Sequence, residues 1–83
     1  MSKADDKFKK LKFNKKENKL MDYIEYGQRD KNGDMAVISF DGTNKTIMTA
    51  LYPKGTIMSR GLAITTDELQ AINEKVKEMG WYD

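Results

Sequence analysis

The chain has 83 residues, no cysteine, no histidine and a formal net charge of +2. That length makes a single small domain, 1–83, in which folding buries only about 60% of the surface the unfolded chain exposes. The composition leaves it without a disulfide or thiolate staple and without the commonest general base and metal ligand. No apolar run approaches the roughly 20 residues of a membrane span. "MSKADDKFKK" lacks the apolar core of a signal peptide, so the expectation is a cytoplasmic protein with no membrane partner.

Residues 1–19 hold eight lysines against three acids, a net +5, while the remainder holds seven basic and ten acidic residues, a net −3. Partial order is the expectation for this basic N-terminal segment, in which Phe8 and Leu11 are spaced for a short helix over residues 4–11. "KFNKK" followed by "ENK" reads as an edge strand and turn, with lysines that discourage edge-to-edge pairing.

The middle of the chain alternates with period two. In "LMDYIEYG", Leu20, Ile24 and Tyr26 share a face, with Asp22 the polar exception, and Met21, Tyr23 and Glu25 share the other. In "MAVISF", Ala36, Ile38 and Phe40 oppose Met35, Val37 and Ser39. In "KTIMTALY", Ile47, Thr49 and Leu51 lie on one side. β-branched and aromatic content supports strands in all three, and the intervening "RDKNGD" and "DGTNK" are rich in turn formers. "YPKGT" breaks the chain again, and a shorter strand is expected over residues 57–60, with Gly61 at a bend.

The last element carries the clearest signals. Thr65 and Glu68 form a capping box, Ile64 and Leu69 a hydrophobic staple, and Leu69, Ile72, Val76 and Met79 one apolar stripe. Acids in the first turn and lysines towards the end suit the helix dipole. Gly80 is the expected left-handed terminator that folds Trp81 back towards Val76. The spacing predicts a helix over 66–79. The architecture that follows is α+β: a four- or five-stranded antiparallel meander, a short N-terminal helix and a long C-terminal helix packed on one sheet face, since the hairpin connections are too short for parallel pairing.

Each candidate site in the chain also has a simpler structural role. In "RDKNGDMAVISFDG", Asp30, Asn32 and Asp34 alternate like the first ligands of a calcium loop, and Asp41 stands twelfth. Yet position six is Met35, and Asn32-Gly33 is a hairpin signal between alternating strands, so a turn is expected and no metal or cofactor. Lys7, Lys9, Lys10, Lys12, Lys15 and Lys16, interleaved with Phe8 and Phe13, are the candidate nucleic-acid contacts; the simpler reading is a solvated face with two rings in the core. Tyr23, Tyr52, Met35, Met58 and Arg60 are the candidate protein-interaction surface, of types enriched at interface hot spots or in adaptable surfaces. Core positions are expected for Met48 and Met79. No nucleophile elbow, phosphate loop or serine–base pair occurs, so no catalytic residue is assigned and an enzyme is not expected.

"FKKLKFNKKEN", "MDYIEYG" and "ITTDELQAINEKVKEMGW" resemble segments of small proteins encoded by phages and prophages of Gram-positive bacteria, which similarly pass from short strands to a C-terminal helix ending in Gly-Trp. The resemblance implies a phage accessory protein in a bacterial host, a non-enzymatic binding module that modulates or inhibits a host or defence protein, as an anti-CRISPR inhibitor does. The alternative is a nucleic-acid-binding accessory protein using the N-terminal lysines, and a homodimer through sheet-edge pairing is a further expectation.

Overall fold

In a computed structural model, residues 2–82 are described. They form α1 (Lys3–Lys10), β1 (Asn14–Asn18), β2 (Tyr23–Arg29), β3 (Met35–Asp41), β4 (Thr46–Tyr52), β5 (Arg60–Gly61) and α2 (Thr66–Glu78). The five strands pair antiparallel in chain order, as short hairpin connections require. The α+β meander with its two flanking helices is therefore the fold.

Register assigns every strand residue to one of two faces, because directly opposed residues share a face. Ile24, Phe40 and Ile47 form one row, and Tyr26, Ile38 and Thr49 the next. Onto these rows α1 delivers Phe8, and α2 delivers Ala71, Ile72 and Val76. Together with Phe13 they make the buried cluster. The Phe8 ring stacks on Tyr26 with centroids 3.8 Å apart, and both meet Phe40 edge-on. Both helices thus cover the same face.

A polar network fastens the helices over that core. Asp5 accepts from the Tyr26 hydroxyl at 2.5 Å and from Lys15 Nζ at 2.9 Å, and Lys75, only 6% exposed, lies 3.6 Å from Asp5 and 4.0 Å from Glu78. Glu78 in turn accepts from Ser2 Oγ at 2.5 Å and from the Ala4 amide at 2.9 Å, which joins the start of α1 to the end of α2. Burial alone would raise the Asp5 pKa, but the bonds from Tyr26 and Lys15 and the charges of Lys75 and Lys15 outweigh it and hold it below the ordinary value. The same competition, with Ser2 and the Ala4 amide winning, lowers Glu78. Tyr26 moves far upward, through burial first and then the neighbouring Asp5 carboxylate.

Several elements differ from expectation. β2 begins at Tyr23, not Leu20: Asp22 adopts a left-handed φ of 52° and its amide bonds to Lys19 O, so residues 19–22 make a turn and leave Leu20 96% exposed. Gly42 donates its amide to Asp22 O at 2.8 Å, and a Cβ at Gly42 would fall on the Asp22 carboxylate, which fits glycine to this crossing of two turns. The last strand shrinks to Arg60–Gly61, and Ile57 and Met58 stand exposed in the preceding loop. α2 keeps its capping box, and the bonds from Gly80 to Lys77 O and Trp81 to Val76 O close it as a Schellman motif. Its buried stripe, however, is Ala71, Ile72, Lys75 and Val76, with Leu69 left 45% exposed at the helix entrance.

Thr65→Ala removes the acceptor for the Glu68 amide and is expected to cost about 1 kcal/mol, lowering Tm by about 4–8 °C in a domain of this size; calorimetry at neutral pH reads it. The carboxyl shifts set the acid behaviour. Because Asp5 and Glu78 titrate lower in the fold than unfolded, their contribution is complete above the ordinary carboxylate range, about pH 4, and is lost as pH falls through their folded values. Tyr26, raised in the fold, contributes fully below about pH 10 and loses its contribution at higher pH. Glu78→Gln, which retains an acceptor for Ser2 and Ala4, should flatten the acid limb of a stability–pH profile; an unchanged acid limb would exclude Glu78 from it.

Candidate protein-interaction face

The second sheet face carries neither helix. Its rows follow from the same register. Tyr23, Asp41 and Thr46 form the first, and Glu25, Ser39 and Met48 the second. Gly27, Val37, Ala50 and Gly61 form the third, and Arg29, Met35 and Tyr52 the fourth. The third row is a floor of small side chains crossing the strands. Met35 leans over it, with Sδ 3.5 Å from where a Gly27 Cβ would stand.

Tyrosine and methionine walls over this floor enclose a shallow groove of about 290 Å³, lined by Tyr23, Glu25, Met35, Val37, Ser39, Met48, Ala50 and Tyr52. Small-molecule sites usually occupy about 300–1,000 Å³ and enclose their ligand; this one is at the lower limit and open along the sheet. Within it the Tyr23 hydroxyl donates to Glu25 Oε1 at 3.2 Å, and the buried Ser39 hydroxyl donates to Met48 O at 3.5 Å. The Tyr23 pKa is raised, first by burial and then by the Glu25 carboxylate, against a lowering bond with Ser39. The phenol therefore stays a neutral donor. What the arrangement offers is contact area with two orienting hydroxyls.

Of the five residues expected to form an interaction surface, Tyr23, Met35 and Tyr52 come together here. Met58 stands in the loop before β5, and Arg60 pairs opposite Leu51 and so belongs to the helix-covered face. Met48, expected in the core, is 65% exposed on the open face, because β4 turns Ile47, Thr49 and Leu51 towards the helices. Val37, Ser39 and Ala50 carry no site signature of their own, although the alternation in "MAVISF" already sets Val37 and Ser39 beside Met35.

The lysines are not gathered. Lys7 and Lys10 line two hollows between α1 and α2, one with Asp67 and Gln70 and the other with Asp6 and Glu74. Lys9 is exposed on α1, and Lys12 in the turn after it, at φ 72°. Lys15 pairs with Asp5 and Glu17 on the helix side, and Lys16 faces Glu25 across the open side. Phe8 and Phe13, which would have to stack on bases, are buried in the core.

The calcium-like stretch is divided between the two ends of β3. Asp30 Oδ1 accepts from the Asn32 and Asp34 amides, and Asp34 Oδ1 from the Lys54 amide. Asp41 accepts from Thr43 and Asn44 in the next turn, seven strand residues or about 23 Å away. The Gly33 amide bonds to Asp30 O, and Gly33 itself takes φ 87°. The loop is therefore a type I turn followed by a left-handed residue, a three-residue hairpin rather than a two-residue Asn-Gly turn.

No protein-family model, curated protein or solved structure matches the chain.

Because the open face supports no helix, its tyrosines are expected to matter little for folding. Tyr23→Ala and Tyr52→Ala should each lower unfolding free energy by under about 1.5 kcal/mol, whereas Phe8→Ala should cost about 3–5 kcal/mol. Urea unfolding of the three variants provides the comparison; equal losses would make the tyrosines structural.

Proposed function

We propose that the protein is a small non-enzymatic binding module whose open sheet face docks a host or defence protein, in the manner of a phage-encoded modulator or inhibitor. The observation that carries this reading is the asymmetry of the sheet: two helices cover one face, and the other presents tyrosine and methionine walls over a floor of small residues. Tyrosine supplies large contact area and a hydroxyl that keeps a hydrogen-bond partner when buried, and methionine adapts to irregular partners. The phage setting and the class of partner rest on the sequence resemblance alone.

The alternative, nucleic-acid binding through Lys7, Lys9, Lys10, Lys12, Lys15 and Lys16, draws less support. These side chains spread over several surfaces, some beside acids, and the rings among them are core. Phosphate-driven binding requires several cations to act together and weakens steeply with salt.

Immobilised protein exposed to lysates of phage-infected and uninfected bacteria should retain a specific protein. That capture should disappear with the Tyr23→Ala/Tyr52→Ala double variant and survive Lys7→Gln/Lys9→Gln/Lys10→Gln. Loss of capture with the lysine variant, together with a steep fall of single-stranded DNA binding between about 50 and 200 mM salt, would replace this reading with the nucleic-acid one.

A further inference from the structure

The two edges of the sheet are built differently. β1 exposes all five residues and carries Lys15, Lys16 and Glu17, charges that discourage another strand from adding there. At the other edge β5 pairs with only Ala50 and Leu51 of the seven-residue β4. Thr46, Ile47 and Met48 extend past the end of β5 and have no strand on their outer side among the described residues. No lysine, proline or bulge protects these three residues, and Ile47 is 41% and Met48 65% exposed. Such a segment leaves backbone donors and acceptors available to an added strand.

We propose that this edge is a self-association site: two copies pair β4 antiparallel about a two-fold axis at Ile47 and extend the sheet to ten strands. The register follows from three constraints. Opposed residues must share a face, so the axis falls on a residue facing its own copy. Beyond Met48 the outer side is occupied, because Thr49 Oγ1 donates to Leu62 O at 3.4 Å and Ala50 faces Gly61. Before Thr46, Lys45 at φ 55° takes the chain out of extended geometry.

An axis at Met48 would set Thr46 against the copy's Ala50, where Gly61 already lies, and an axis at Thr46 would set Ile47 against the copy's left-handed Lys45. Only Ile47 against Ile47 stays within the free segment, with Thr46 opposite Met48 on the open face at both ends. This pairing opposes no like charges, joins two β-branched side chains and gives the isologous symmetry usual in homodimers. The edge is its own complement in length, facing and charge, which selects a second copy over a foreign strand. Three residues from each copy make a contact smaller than the roughly 1,200 Å² of stable complexes, so the dimer is transient. The axis is perpendicular to the sheet, so both open faces lie on the same side and the pair is bivalent.

Sedimentation equilibrium from about 10 µM to about 1 mM, the range of a weak contact, should show the apparent mass rising towards twofold. Amide shifts that depend on concentration should centre on residues 46–48. Ile47→Lys and, as a second variant, Met48→Lys should abolish both effects while circular dichroism remains native; Tyr52→Ala on the open face should leave both intact. A monomer throughout, shifts centred on residues 14–18, or association unchanged in a folded lysine variant would each overturn the proposal. So would a chain that stays monomeric but loses a captured partner on Ile47→Lys, since the edge would then accept a foreign strand.

Discussion

The ring of Tyr26 is the point on which the helix-covered side of the sheet depends. It stacks on Phe8 of α1 at 3.8 Å, meets Phe40 of β3 edge-on at 5.8 Å, and lies 6.0 Å from the Lys75 ammonium of α2. Its hydroxyl donates to Asp5, which also holds Lys15 and approaches Lys75. One side chain therefore gives ring contacts to α1 and β3, a π face to the ammonium of α2, and a polar anchor to the helix that lies on it. A buried lysine such as Lys75 is costly to desolvate unless carboxylates and hydrogen bonds surround it. Here Asp5 and Glu78 come from the two helices that must sit side by side, so the cost is offset only when α1 and α2 are both in place. The network thus selects one helix arrangement more than it adds raw stability.

This arrangement follows from size. A chain of 83 residues without disulfides has material for one packed layer on one sheet face, and here that layer is made by α1 and α2 together. The other face is left with partly exposed side chains, and its residues are correspondingly small, polar or adaptable: Gly27, Ala50, Ser39, the methionines and the two tyrosines. An antiparallel sheet tolerates one solvated face, so openness alone is unremarkable chemically. What distinguishes this face is that two rings and two methionines rise around a floor without large side chains.

Local signals wrote most of the fold legibly. The capping box at Thr65 and Glu68 and the terminator at Gly80 are short-range hydrogen bonds that depend on neighbours in sequence, and they stand as the spacing predicts. β3 and β4 follow their period-two patterns almost to the residue. Signals that needed a partner distant in sequence were less readable. Leu20 completes an apolar alternation, yet the left-handed Asp22, held to Gly42 from another turn, ends the strand before it. Lys75 reads as a dipole-facing surface charge until Asp5, seventy residues earlier in the chain, is placed against it. Residue type suggests a core place for Met48, although its own alternation with Ile47 and Thr49 sets it on the opposite face; where type and period disagree, the period wins, because pleat geometry has no exceptions within a regular strand.

The same distinction explains the candidate site. Tyr23, Met35 and Tyr52 are interface residue types, and register places them on one surface, while Met58 and Arg60, equally suitable by type, fall elsewhere. Residue type proposes members of a surface; strand parity decides membership. The floor was harder to see because Val37, Ser39 and Ala50 carry no functional signature of their own. Their contribution is the absence of bulk between larger neighbours, which no single position reveals. The lysines show the converse: a run that looks like one patch along the sequence is divided by a helix, a turn and an alternating strand, so its members face different directions. Charge density along a chain becomes charge density in space only when the backbone keeps those residues on one side, and here it does not.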